Sequence, residues 1–120
     1  MSVAIPLLLN VSAGTSGATS STVTVPAGGQ SEGTKNLDIT LAVTANTGGT
    51  TPSVQAEVQW SNDGATWFSA DTTKDQTAAV AVGSAVVKEF EIKAPYFRVV
   101  TTFGGAPTNM TYSVGYRFTS

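Results

Sequence analysis

Apolar and polar residues alternate along most of this chain with the two-residue period of a strand that buries one face. In LDITLAVT, residues 37–44, Leu37, Ile39, Leu41 and Val43 fall on one side, and Asp38 and Thr40 on the other. Residues 54–60 repeat the pattern, with Val54, Ala56, Val58 and Trp60 inward and Gln55, Glu57 and Gln59 outward. Phe90 and Ile92 share a face in VVKEFEI, opposite Glu89 and Glu91. Phe97, Val99 and Phe103 line up in YFRVVTTF, as do Tyr112, Val114, Tyr116 and Phe118 in TYSVGYRF. Shorter strands are predicted within residues 4–11, 22–25 and 78–82. Helical spacing is nowhere sustained, so the pattern predicts an all-β fold of about eight strands, an antiparallel β-sandwich or jelly roll in a single domain.

Glycine and proline punctuate this pattern. Residues 12–22 are rich in Gly, Ser, Thr and Ala, which predicts a loop or flexible connection. The chain then divides into an N-terminal strand or arm plus connection, 1–21, and a sandwich body, 22–120. One partial echo is present: VTANTGGTTPSVQAEVQW, residues 43–60, resembles VTTFGGAPTNMTYSVGYRF, residues 100–118. Each has a Gly pair that supplies positive φ and a Pro that stiffens the exit, so both predict hairpin loops.

Trp60 and Trp67 flank a third turn signal, Asn62-Asp63-Gly64. With a two- or four-residue loop, Trp67 stands opposite Trp60 and joins it inside. A three-residue loop sends Phe68 inward and Trp67 to the surface. Alternation places Trp60 inward, and core packing is expected for Trp60, Trp67, Phe90, Phe97 and Tyr112 rather than an exposed sugar platform. A large ring left on the outer face, Phe68 in this reading, is a candidate protein interface. So are Ile5, Leu7, Leu8 and Leu9, which crowd the N-terminal segment ahead of its small-residue connection; a buried edge strand is the alternative for them.

Composition narrows the chemistry. The chain has 120 residues, enough for one core, yet charged residues make up only 12% of it, about half the usual share. A surface so poor in charge suits contact with other protein. The net charge is -2 with no basic run, which offers no source of phosphate neutralisation, so nucleic acid is not an expected partner. No stretch reaches the ~20 apolar residues of a membrane-spanning helix. The opening apolar residues lack a preceding positive charge and are interrupted by Pro6, unlike an export signal.

With no Cys and no His, the chain lacks disulfides, thiolate nucleophiles, imidazole bases and the usual soft metal ligands. No carboxylate pair suggests acid/base catalysis, and no enzymatic activity or cofactor is expected. Glu89 and Glu91 suit a solvated edge that discourages aggregation. Asn62, Asp63, Asp71 and Asp75 carry oxygen ligands without any fixed calcium-loop spacing.

Two family resemblances attach to these residues. A VPAGG turn at 25–29, a Gly-Gly-x-x-Pro loop, the SNDGATWF hairpin at 61–68, a Tyr-Phe-Arg-Val strand at 96–99 and a second Gly-Gly loop follow one another. In that order they resemble small β-sandwich virion proteins of tailed bacteriophages, of the capsid decoration or cement type. The resemblance implies a non-enzymatic protein, made in the host cytoplasm and carried on the capsid surface. It would bind and stabilise the assembled shell by mass action. The implied partners are the major capsid protein or another virion protein, and further copies of itself in a homotrimer. A tail, fibre or head-fibre component is the near alternative. Ser61, Asp63, Gly64 and Trp67, with Tyr96, Arg98 and Val99, also resemble motifs of discoidin-like and carbohydrate-binding sandwich modules, which would imply a sugar-binding role. In those modules the motifs are largely framework.

Overall fold

The structure, a computed structural model, describes residues 17–25, 36–69 and 75–119, together with the backbone of residues 5–13. Among these described residues there are eight strands: β1 (Ile5–Ala13), β2 (Val23–Thr24), β3 (Asn36–Thr47), β4 (Ser53–Ser61), β5 (Val80–Ala81), β6 (Ala85–Glu91), β7 (Tyr96–Gly104) and β8 (Asn109–Thr119). They form two four-stranded sheets, β1-β8-β3-β6 and β2-β7-β4-β5. Every pairing is antiparallel. The fold is a β-sandwich, as the alternation predicts.

The core is built from the inward faces of the four central strands. Leu37, Ile39, Leu41 and Val43 of β3 and Met110, Tyr112 and Val114 of β8 pack against Val54, Ala56, Val58 and Trp60 of β4 and Phe97 and Val99 of β7. Burying each large aliphatic or aromatic side chain in this way contributes about 1.5–3 kcal/mol. Phe97 is the aromatic hub, with ring centroids 6.0 Å from Trp60, 5.5 Å from Tyr116 and 6.1 Å from Phe118. The Tyr116 and Phe118 contacts are edge-on, as ring quadrupoles prefer. Asp38 points outward from β3 yet is largely covered, and its carboxylate meets the Arg117 guanidinium of β8 at 2.7 Å.

The two Gly-Gly loops are not hairpins. Residues 48–52 carry the chain from β3 in one sheet to β4 in the other, and residues 105–108 carry it back from β7 to β8. Because β3 pairs with β8 and β4 with β7, the echo in the sequence corresponds to two arches related by exchange of the sheets. They interlock at one end of the sandwich: Thr50 N donates to Gly105 O at 2.8 Å, and Thr108 N to Thr47 O at 2.8 Å. A Cβ on Gly105 would lie 2.4 Å from Thr50 O. Thr51 and Ala106, each preceding a proline, adopt φ of 49° and 52°.

The backbone of residues 5–13 is paired into the sandwich. The backbone of β1 runs along β8 from Ile5 opposite Tyr116 to Ala13 opposite Met110, with register shifts on either side of Leu8. Pro6 is accommodated because β1 is an edge strand, where one row of N–H groups has no ladder partner to lose. Residues 17–20, expected as a flexible connection, dock on β7 instead. Thr101 N donates to Ala18 O at 2.9 Å and Ser20 N to Val99 O at 2.8 Å. Gly17 is required for this approach, since a Cβ there would sit 1.5 Å from Thr101 O.

Trp67 is not a core residue. Trp60 and Phe68 are the directly opposed pair, exchanging N–H to O bonds of 2.9 Å in both directions. This is the three-residue-loop register, so Trp67 turns to the outside of the sheet, while Phe68 takes the inward side but stays exposed because it lies at the sheet's margin. Ser61 and Asp63 set that register. Asp63 Oδ1 accepts hydrogen bonds from Ala65 N and Thr66 N, both at 2.8 Å, and Ser61 Oγ accepts one from Gly64 N at 2.8 Å. Gly64, at φ 79°, completes the reversal.

Candidate functional site

Two surfaces stand out, and both descend from the Trp60/Phe68 register. The first is the outer face of the β2-β7-β4-β5 sheet. Gln59 of β4 and Arg98 of β7 are register partners there, and Arg98 Nε donates to Gln59 Oε1 at 2.8 Å. The Arg98 guanidinium carbon stands 4.5 Å from the centroid of the Trp67 ring. That cation–π contact is worth about 0.5–1 kcal/mol at a partly exposed position. Two positions along β4, Glu57 Oε2 accepts a 2.5 Å hydrogen bond from Ser69 Oγ, and Gln76 pairs opposite Glu57 on the same face. Tyr96 occupies the outward position opposite Ser61.

The second surface is the lateral edge where β5 and β6 close the sandwich. The exposed large hydrophobic residues among those described are Phe68, 40% exposed, Val82, 37%, and Val87, 59%. All three fall on this one side: Phe68 on the outer margin of β4, Val82 in the turn from β5 to β6, and Val87 on β6 opposite Thr40. Lys88, Glu89 and Glu91 punctuate the same strand. Lys88 stands opposite Ile39, on the inward side of β6, yet is exposed. An inward-pointing charge of this kind keeps an edge strand from pairing indiscriminately.

Other polar groups are committed to the framework. Trp60 Nε1 donates to Asp75 Oδ2 at 2.8 Å, and the Lys93 ammonium meets the same oxygen at 2.7 Å. Lys93 also lies 5.7 Å from the centroid of the Trp60 ring. Thr101 Oγ1 and the Tyr112 hydroxyl are 2.5 Å apart within the core, and Ala18 N donates to Thr101 Oγ1 at 2.9 Å. Burial raises the pKa of Tyr112 above its usual value, with the Thr101 hydrogen bond acting in the opposite direction. Of the oxygen-bearing group considered for calcium, Asp63 is spent within its loop and Asp75 on Trp60 and Lys93, while Asp71 lies outside the described residues.

The expected site residues are thus dispersed. Trp60, Phe97 and Tyr112 are fully buried and Phe90 nearly so. Phe68 is on the β5–β6 edge, whereas Ile5, Leu7, Leu8 and Leu9 belong to β1 at the opposite edge of the sandwich, and their side chains are outside the described residues. The contact that sequence reasoning missed is Trp67 with Arg98. The SNDGATW hairpin and the YFRV strand touch here through these two side chains, and one outward ring beside one outward cation was the available signal.

No family model and no curated protein matches the chain. Among solved structures it is similar to a chain of the Bacillus endospore appendages, described as a novel family of disulfide-linked pili. That likeness has 16% identity and a TM-score of 0.41, over 98% of this chain and 83% of that one. It is also similar to a chain of infectious bursal disease virus, Gt strain, at 12% identity and a TM-score of 0.48, over 95% of this chain and 31% of that one. For the Gx strain of the same virus the identity is 14% and the TM-score 0.43, over 95% and 30% of the two chains. Likenesses of this degree leave partners and activity to the chain's own residues.

Proposed function

We propose that this is a non-enzymatic structural protein of a tailed-phage virion, a capsid decoration or cement protein that binds the assembled shell and reinforces it. The observation that carries the proposal is that the exposed large hydrophobic residues among those described, Phe68, Val82 and Val87, all stand along the β5–β6 side of the sandwich. On a rigid sandwich poor in charge, that edge offers apolar area to another protein surface, and each anchor that becomes buried contributes about 1.5–3 kcal/mol. Lys88, Glu89 and Glu91 follow Val87 along β6 and orient a partner there, because it must leave them solvated or pair them. The virion setting, the major capsid protein as partner and the homotrimer come from the family resemblance. A trimer fits a three-fold lattice position, where one weak contact acts three times.

The test combines sizing in solution with co-sedimentation on purified shells that lack the protein. A trimer that saturates a fixed number of shell sites is expected. The pair Phe68→Ser and Val87→Ser, both at exposed positions, should leave the fold intact and weaken shell binding by at least about tenfold, the equivalent of ~1.4 kcal/mol. A monomer that ignores shells, or a double variant that binds them as well as the parent, overturns the proposal.

A further inference from the structure

We infer that copies of this chain associate by exchanging β8: the 105–108 arch opens, and the strand leaves its own sandwich to fill the seam between β1 and β3 of another copy. Such an exchange supplies the contact between copies that the proposed function leaves open, and it does not involve the shell-binding edge. Strain at the hinge favours it. Ala106 is exposed and holds φ 52° directly before Pro107. A left-handed backbone crowds the Cβ of an L-residue, and a following proline draws the residue before it toward extended backbone. Straightening the arch relieves both at once. Short connections strained in this way invite exchange between copies.

The topology makes β8 the segment that moves. In this sequence a single strand follows Ala106, whereas Thr51, which holds φ 49° before Pro52, is followed by strands of both sheets. Withdrawing β8 opens a gap one strand wide between β1 and β3, and the walls of that gap fix what fits it. The β3 ladder sets the register, from Leu37 opposite Phe118 to Thr47 opposite Asn109. The covered Asp38 carboxylate requires a guanidinium where Arg117 stands, and Thr101 Oγ1 meets a hydroxyl where Tyr112 stands. The β8 of a second copy satisfies all three, while a strand of other sequence leaves Asp38 covered without its cation. Every contact that β8 makes at home is thus remade in the neighbour, and the balance is decided at the hinge. The bonds lost there are those that lock the arch, Thr50 N to Gly105 O and Thr108 N and Oγ1 to Thr47 O. They join exposed residues, where water replaces them at modest net cost.

Disulfide mapping tests the exchange, because the chain has no cysteine of its own. Ala42 of β3 and Ser113 of β8 are register partners on the outer face of their sheet. Directly opposed antiparallel residues lie about 4.5–5.5 Å apart at Cα, within reach of a disulfide. Ala42→Cys and Ser113→Cys are made as separate full-length chains, unfolded in urea, mixed, refolded together at high concentration, oxidised and sized. The oligomer should contain a disulfide joining one chain of each kind, and neither variant refolded alone should form it. One chain carrying both substitutions, refolded dilute, should close the same bond internally, which shows that the site is competent. Ala106→Gly, which accepts the left-handed conformation without strain, should lower the exchanged fraction by at least about tenfold. An oligomer without the mixed disulfide, a disulfide formed equally well by either variant alone, or an exchanged fraction that Ala106→Gly leaves unchanged overturns the exchange and leaves the homotrimer to other contacts. A chain that stays monomeric at every concentration overturns the exchange and the homotrimer together.

Discussion

Asp63 sits on the surface, yet its carboxylate accepts hydrogen bonds from two backbone amides and the Ser61 hydroxyl. Those contacts lower its pKa from 3.8 to about 2, with the Thr66 and Ala65 amides contributing most. A depressed folded-state pKa means that the contribution to stability is fully present above the unfolded value and is lost as pH falls through the folded one. The hairpin that orients Trp67 should therefore loosen between about pH 4 and pH 2. Trp67 fluorescence and the Asp63 carboxyl shift, followed by NMR across that window, should titrate together. Asp63→Asn should remove the transition, and a pKa near 4 in the parent would contradict the hydrogen-bonded loop. One carboxylate thus links the loop's register to the face on which an indole appears.

Among the connections, the arches and the hairpin make different demands on glycine. Gly64 has φ 79° with nothing near its missing Cβ, whereas Gly105 has φ 80° and packs against Thr50 O. Gly64→Ala should cost about 1–2 kcal/mol, the penalty of a left-handed L-residue alone. Gly105→Ala adds backbone displacement and should cost ~3 kcal/mol or more. Urea denaturation of the two variants measures the difference, and equal losses would mean the arches do not interlock. The strands themselves were legible in the sequence, because Leu37 to Val43 and Val54 to Trp60 must place every second side chain in a core. Sheet membership was not: Gly48-Gly49 and Gly104-Gly105 mark a reversal, but a reversal within a sheet and one between sheets use the same residues. Trp67 was assigned inward for a related reason, since a change of one residue in loop length flips the face, and that length depends on how Ser61 and Asp63 share their hydrogen bonds. Phe68 and the β5–β6 edge were legible only in part, because Val82 and Val87 become neighbours of that edge through pairing that local patterning does not encode.

For the whole molecule, the N-terminal strand carries a clear expectation. The hydrogen bonds of β1 cover the edge of β8 from Met110 to Tyr116. Deleting residues 2–11 should leave that edge open and lower the urea midpoint or provoke association, both visible by denaturation with light scattering. A truncated chain with unchanged stability would show that β1 is dispensable to the body. The position of β8 has a wider consequence. This last strand lies in the interior of its sheet, between β1 near the start of the chain and β3. On a ribosome, β1 and β3 must therefore emerge with no partner between them, and the nascent chain cannot close its core until the codons for β8 have been read. Premature termination before Asn109 would then release unfinished sandwich, with two open seams, for proteolysis.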